Sequence, residues 1–467
     1  ICACLVGSEM CIRDSSKATR WGALVIVAFT MMAAYYVNDV VAPLKTMLET
    51  DLAWSSTDFG FFTGGYSFLN VFFLMLIWGG LILDRFGIRF TGKLATILMV
   101  GGTALEYYAM TGLAGADATL FGINEIFGYK TGVFVAFAGY SIFGVGAEVA
   151  GITVSKIIAK WFKGKELATA MGVQVALARI GSQAGYAVAI PLARAFGIST
   201  PVLLGLVLLL GGMIAFFIFA VMDKKLDKQM EAAAIAAGTE DEEEKFSFKD
   251  VKNILVNPGF WLIALLCVLF YSCVFPFQKF ASELMIIKYG INENVAGTFA
   301  GLPALGALIL TPVFGGFIDK RGKSASIMLL GSAMLICVHF IYAIPDINYW
   351  LVAIVLMIIL GIAFSLVPSA MWPAVAKIFP VSQLGTAYAL IFFIQNIGLW
   401  GIPTLIGWVL DAYCISGKKP DGTNMYDYTV PMCIFTGIAC LSLIVALLLK
   451  KADKKYGYKL EEPNIQK

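Results

Sequence analysis

The sequence predicts an all-α integral membrane protein, with twelve transmembrane helices in two pseudo-symmetric six-helix halves. Three observations carry this. Of 467 residues, 59% are hydrophobic and only 14% are charged, against about 25% charged in an ordinary soluble domain. Mean hydropathy is +0.83. The apolar residues gather into runs long enough to cross a hydrocarbon core about 30 Å thick, which takes roughly 20 residues of helix. So few charges cannot cover a water-facing surface of this size, which excludes a soluble enzyme. Disorder and a disulfide scaffold are excluded as well.

In chain order, the runs lie near 21–43, 59–83, 91–113, 131–159, 167–193 and 200–222. They resume near 259–287, 296–318, 324–344, 349–377, 384–412 and 428–450. Lipid leaves backbone groups no partner outside the segment, so such unbroken runs make helices rather than barrel strands. Residues 1–15 (ICACLVGSEMCIRDS) lack a starting Met and a signal-peptide pattern. They read as translated adapter DNA and are set aside. The expected organisation is then a first half at 16–222, a charged linker at 223–256, a second half at 257–450 and a tail at 451–467. The acidic cluster at 240–244 reads as solvated linker. The remaining cysteines are scattered without ligand spacing, so neither a metal site nor a required disulfide is expected.

Basic residues set the orientation. Lys and Arg crowd the segments that share a side with the two termini, including Arg85, Arg89, Lys160, Lys163, Lys165, Lys320 and Lys323. The opposite loops hold few: Lys45, Lys130, Arg194, Lys288, Lys418 and Lys419. Both termini are therefore expected in the cytoplasm.

The loop after the second run reads GGLILDRFGIR (79–89), and the loop after the eighth reads GGFIDKRGKS (315–324). Gly80, Asp84 and Arg85 thus have counterparts in Gly315, Asp319 and Lys320, while Gly87 and Arg89 complete the first copy. This doubled signature resembles that of the major facilitator superfamily. The resemblance implies two halves that rock about a central site. A glycine there permits close packing and a tight turn, and the Asp can cap a helix or pair with a basic residue as the halves move.

Charges inside the bilayer are costly and point to function. Glu148 lies twelve residues before Lys160, about 18 Å along a helix, and Arg179 lies thirteen after Glu166, about 20 Å. Both sit near the midplane on consecutive antiparallel helices. They either lock two helices as an ion pair or line a central cavity. Lining it, Arg179 offers a planar fork to a carboxylate, and Glu148 can accept an ammonium or carry a proton. A small zwitterion satisfies both. Lys279 and Glu283, four apart, can pair with each other, or Lys279 can line the cavity, where Pro276 weakens the helix. Glu106 lies nearer the outer side. Tyr35, Tyr36, Asn38 and Asp39 at the end of the first run can line the cavity or form an interfacial belt. His339 reads as a core residue.

Longer stretches narrow the family. WFKGKELATAMGVQVALARIGS (161–182), MWPAVAKIFPVSQLGTAYALIFFIQNIGL (371–399), VFPF (274–277) and LDRFGIR (83–89) resemble segments of the lysosomal dipeptide transporter family. In that family a Glu of span four and the Arg of ARIGS are implicated in dipeptide binding, and they fall on Glu148 and Arg179. Trp372, Gln383, Tyr388, Gln395 and Asn396 also match its pattern. Gln395 and Asn396 can bond substrate or a neighbouring helix.

The resemblance implies transport of dipeptides, with passive or proton-linked energetics, by a protein that needs no cofactor and no nucleic acid. The leading expectation is a secondary transporter, likewise without catalytic residues, binding substrate through Glu148, Arg179, Lys279, Gln395, Asn396 and Tyr36. No GxxxxGK[ST] motif for direct ATP coupling is present. The alternatives are a proton-coupled carrier of organic anions or sugars and, from another class, a receptor that no longer transports. A monomer is expected, in a microbial plasma membrane, or in the lysosomal membrane if the source is an animal.

Overall fold

The computed structural model describes residues 17–115, 118–162, 166–237 and 248–463. The terminal stretch 1–15, Lys163, Lys165 and the acidic cluster 240–244 lie outside the described residues.

The chain is almost wholly helical. The first part holds α1 (Lys17–Val40), a short 3-10 turn (Ala42–Leu44), α2 (Lys45–Asp51), α3 (Ser56–Phe72), α4 (Met75–Thr111), α5 (Thr131–Trp161), α6 (Leu167–Phe196) and α7 (Thr200–Ala237). The second holds α8 (Phe248–Val256), α9 (Pro258–Tyr289), α10 (Glu293–Ala300), α11 (Leu302–Arg321), α12 (Ser324–Ala343), α13 (Trp350–Ile378), α14 (Val381–Tyr413) and α15 (Thr429–Tyr456). Two antiparallel hairpins decorate the end opposite the termini: β1 (Glu125–Ile126) with β2 (Tyr129–Lys130), and β3 (Ile415–Lys418) with β4 (Asn424–Tyr426).

Among the described residues, nine helices are long and apolar enough to cross a membrane, and one bent pair qualifies jointly. α6 has the length but is not among them, and it carries Gln174, Arg179, Ser182 and Gln183. The second and third runs depart from expectation. They do not form two simple rods; α3 and α4 meet at a 58° bend, where Leu74 is left-handed at φ 53°. The break therefore falls inside the second run. The expected loop after that run has shrunk to a single non-helical residue, Gly87, with φ 74° and ψ 173°. Only glycine takes that backbone without strain, so this signature glycine is the turn itself. The sixth run also differs, since α7 continues beyond 222 to Ala237.

α1 packs on α6 and α7, and α4 on α5; α9 packs on α14, α11 on α13, and α12 on α15. Across the middle, α3 lies along α14, and α6 meets α10 and α11. The α3–α14 seam is close because both sides are bare: a methyl at Gly407 would lie 2.3 Å from the Ser56 carbonyl oxygen. At the termini end, the tail after α15 is stitched to the start of α12. Lys323 N donates to Glu461 O at 3.1 Å, Ser324 N to Leu460 O at 3.0 Å and Ser326 N to Glu461 Oε1 at 2.8 Å. These bonds satisfy the first amides of the helix, which lack partners within it.

Candidate functional site: a cavity between the helices

A cavity of about 580 Å³ lies at mid-depth and extends toward the termini end past Ile152, Ser155 and Gln174. Helices from both parts of the chain line it, and its aromatic wall includes Tyr35, Tyr66, Tyr140, Tyr271 and Trp372. Glu148, Arg179, Lys279 and Gln395, named from sequence, all border this one cavity.

Their partners are specific. Tyr66 on α3 donates its hydroxyl hydrogen to Glu148 Oε1 at 3.0 Å. The Arg179 guanidinium carbon lies 4.8 Å from the ring centre of Phe364 and 5.6 Å from that of Tyr35. No ion pair joins Glu148 to Arg179 among the described residues. The two opposite charges share a space without neutralising each other by contact. Gln395 accepts from the Cys267 thiol at 3.4 Å.

Lys279 is engaged rather than offered. Its Nζ donates to Asn38 O at 2.6 Å and also reaches Asp39 Oδ1 and Tyr140 Oη, each at 3.3 Å. Ser182 bonds the other Asp39 oxygen. Lys279 therefore ties α9 to α1 at the roof of the cavity. The expected Lys279–Glu283 pair does not form, because each finds a stronger partner on the first part of the chain.

Two other expectations are corrected. Tyr36 is turned from the cavity and donates to Pro201 O at 3.2 Å; its neighbour Tyr35 is the lining residue. Met31, Ala34, Tyr35 and Asn38 line the wall. They follow the i, i+3, i+4, i+7 stripe of one helix face, and Tyr36 projects roughly 100° away. Asn396 is also outside the lining, donating to Phe392 O one turn back at 3.0 Å. His339 is a core residue, with Nε2 3.0 Å from Cys273 O. Tyr66, Tyr140 and Phe364 escaped sequence reading, since an aromatic in an apolar run carries no signal of which way it faces.

The signature loops lie at the termini end. Asp84 pairs with Lys156 at 3.0 Å, and Arg89 with Asp227 at 2.7 Å. Arg85 stacks on Phe86 at 5.6 Å. Asp319 and Lys320 occupy the last turn of α11. Close packing at Gly80 and Gly315 is not found, since a methyl at either would meet nothing within 4 Å; it is Gly79 that sits against Val149.

The opposite end is sealed by a buried charge cluster. Lys45 Nζ lies 2.5 Å from both Glu49 Oε1 and Glu283 Oε2. Lys419, from the β3–β4 hairpin, reaches Glu49 at 3.5 Å and Glu283 at 3.7 Å. The Tyr428 hydroxyl donates to Glu283. Burial and the neighbouring Glu283 carboxylate push this phenol well above its ordinary range, so it remains a donor. Lys419 lies in a loop as expected, whereas Lys45 starts α2 and is 1% exposed. Asp411 caps the start of α3 through Thr57 N at 2.5 Å.

A bundle of membrane-spanning helices around one central cavity, closed at one end, is the architecture of a solute carrier. The major facilitator superfamily model matches residues 24–403 and 280–462. The chain belongs to the major facilitator superfamily. The human lysosomal dipeptide transporter MFSD1 is 29% identical over 97% of this chain and 90% of its own length. The zebrafish (Danio rerio) protein of that name is 26% identical over 92% and 86%. Among solved structures, the nucleoside transporter NupG superposes with a TM-score of 0.64 at 12% identity, covering 91% of this chain and 98% of that one. A bacterial homologue of the human lysosomal transporter Spinster, inward-facing and unoccupied, gives 0.62 at 14%, covering 97% and 100%. The superfamily's members are transporters, and this chain is one of them.

Proposed function

We propose that this transporter carries dipeptides across its membrane by alternating access. Glu148 receives the peptide ammonium, and Arg179 receives the carboxylate. The observation that carries the reading is that these two charges border one cavity at mid-depth without pairing with each other. Each is costly to keep in the bilayer, by at least about 2.5 kcal/mol on insertion scales. A zwitterion with separated ends compensates both, whereas a sugar compensates neither and a plain anion leaves Glu148 unmatched. The dipeptide-transporter relatives point the same way. With the termini in the cytoplasm, the cavity extends toward the cytoplasm, and the Lys45–Glu283 end faces outward.

The test is flux into vesicles bearing the purified protein, over a panel of dipeptides, amino acids, organic anions and sugars. Labelled dipeptides should enter, and uptake of sugar alone would sink the reading. Arg179→Ala should weaken dipeptide binding about 10- to 100-fold, the worth of hydrogen bonds to a charged group. Unchanged binding would reduce Arg179 to a structural residue. Glu148→Gln separates the energetics: a proton-driven carrier loses accumulation and keeps exchange, while a uniporter has no accumulation to lose.

A further inference from the structure

The surroundings of Arg179 hold one feature that substrate binding alone does not explain. Arg179 is only partly buried at the cavity, and its described contacts are aromatic rings rather than a carboxylate. The nearer ring, Phe364, belongs to α13, whereas Arg179 belongs to α6. Phe364 is itself held firmly. It is 2% exposed, and its ring meets Phe275 edge-on at 5.3 Å and 82°, and Tyr271 at 6.3 Å and 86°. Tyr271 and Phe275 are stacked on each other at 5.4 Å and 4°, and both line the cavity.

An aromatic face attracts a cation through its quadrupole, and more strongly where water is scarce. It takes up no N–H donor in doing so. The guanidinium edge, with its fork of donors, is therefore left for a ligand. A carboxylate partner in the same place would have consumed those donors.

We propose that Phe364 is the positioning residue of the substrate's carboxylate pole. Its ring reaches from the second part of the chain to hold Arg179 of the first with the donor edge free for a peptide carboxylate. This rests on the dipeptide reading and deepens it. The pole is then composite.

The experiment compares wild type with Phe364→Leu, which keeps most of the volume and removes the π face, and with Phe364→Trp, which restores a face. Half-saturation and maximal uptake are measured in vesicles for a dipeptide and for its C-terminally amidated analogue, which lacks the carboxylate. Phe364→Leu should raise half-saturation about tenfold for the free dipeptide, with a much smaller change for the amide and in maximal rate. Phe364→Trp should recover most of the loss. An equal effect on both ligands, or none, overturns the proposal and leaves Phe364 a packing residue. A second readout needs no ligand. The Nε–H proton resonance of Arg179, assigned by its loss in Arg179→Lys, should be shifted upfield by the ring in wild type and relax downfield in Phe364→Leu. An unmoved resonance also overturns the proposal. Wild type that moves no dipeptide sinks the peptide reading instead, and the resonance still decides whether Phe364 holds Arg179.

Discussion

The two ends of the bundle use the same residue types to opposite effect. At the hairpin end, Lys45, Glu49, Glu283 and Lys419 form a charge-balanced cluster, with Glu283 fully shielded and Lys45 1% exposed. Its contacts cross from the first part of the chain to the second. At the termini end, Asp84 and Lys156 form an ion pair whose side chains are 68% and 39% exposed, and both belong to the first part. Arg89 with Asp227, and Lys323 with Glu461, likewise stay within their own parts. The buried cluster is costly to disturb, because removing one member strands an uncompensated charge. The Asp84–Lys156 pair is screened by water and worth little. The difference teaches where the stability of this conformation resides: one end is bolted across the divide, whereas the ion pairs named at the other each stay within one part.

The largest expected effect comes from breaking the bolt. Glu283→Ala leaves Lys45 and Lys419 with a single carboxylate, and should cost the closed arrangement about 3–5 kcal/mol. Maleimide labelling of Ser56→Cys, a position buried at that end, should rise sharply in this background. Unchanged labelling and an unchanged melting temperature would show that the cluster does not hold the end shut.

A smaller effect follows from wedging the seam. Gly407→Leu drives a side chain into the Ser56 backbone, and overpacking of this kind costs typically about 1–3 kcal/mol. The same cysteine should become accessible and uptake should fall, whereas wild-type uptake in this variant would mean that the seam yields without parting. The smallest effect is expected at the termini end. Lys156→Ala removes an exposed pair and should change stability by no more than about 1 kcal/mol. A loss as large as that of Glu283→Ala would abolish the contrast between the ends.

Much of this was legible in the chain. The expected runs coincide with α1, the α3–α4 pair, α5, α6, α7, α9, α10 with α11, and α12 to α15. Hydropathy averages composition over a window, so it missed the bend at Leu74 and the contraction of a loop to Gly87. Glu148 and Arg179 could be placed by counting from the charged turn between their helices, because a helix advances by a set rise per residue. Tyr36 was misassigned for Tyr35 because the rotation of a helix about its axis depends on its neighbours. The stripe of Met31, Ala34, Tyr35 and Asn38 was the one available clue.

What the sequence determined by itself is the helical membrane architecture and the placement of Glu148 and Arg179 inside it. Both follow from one cost, that of polar groups in hydrocarbon, which acts on each segment separately. Only the tertiary structure decided which charges meet. Glu283 pairs with Lys45 and not with Lys279 four residues away, Arg179 faces Phe364 instead of Glu148, and one end is sealed by a buried charge cluster. Those choices depend on helices distant in the chain approaching within a few ångströms, and no local pattern encodes that approach.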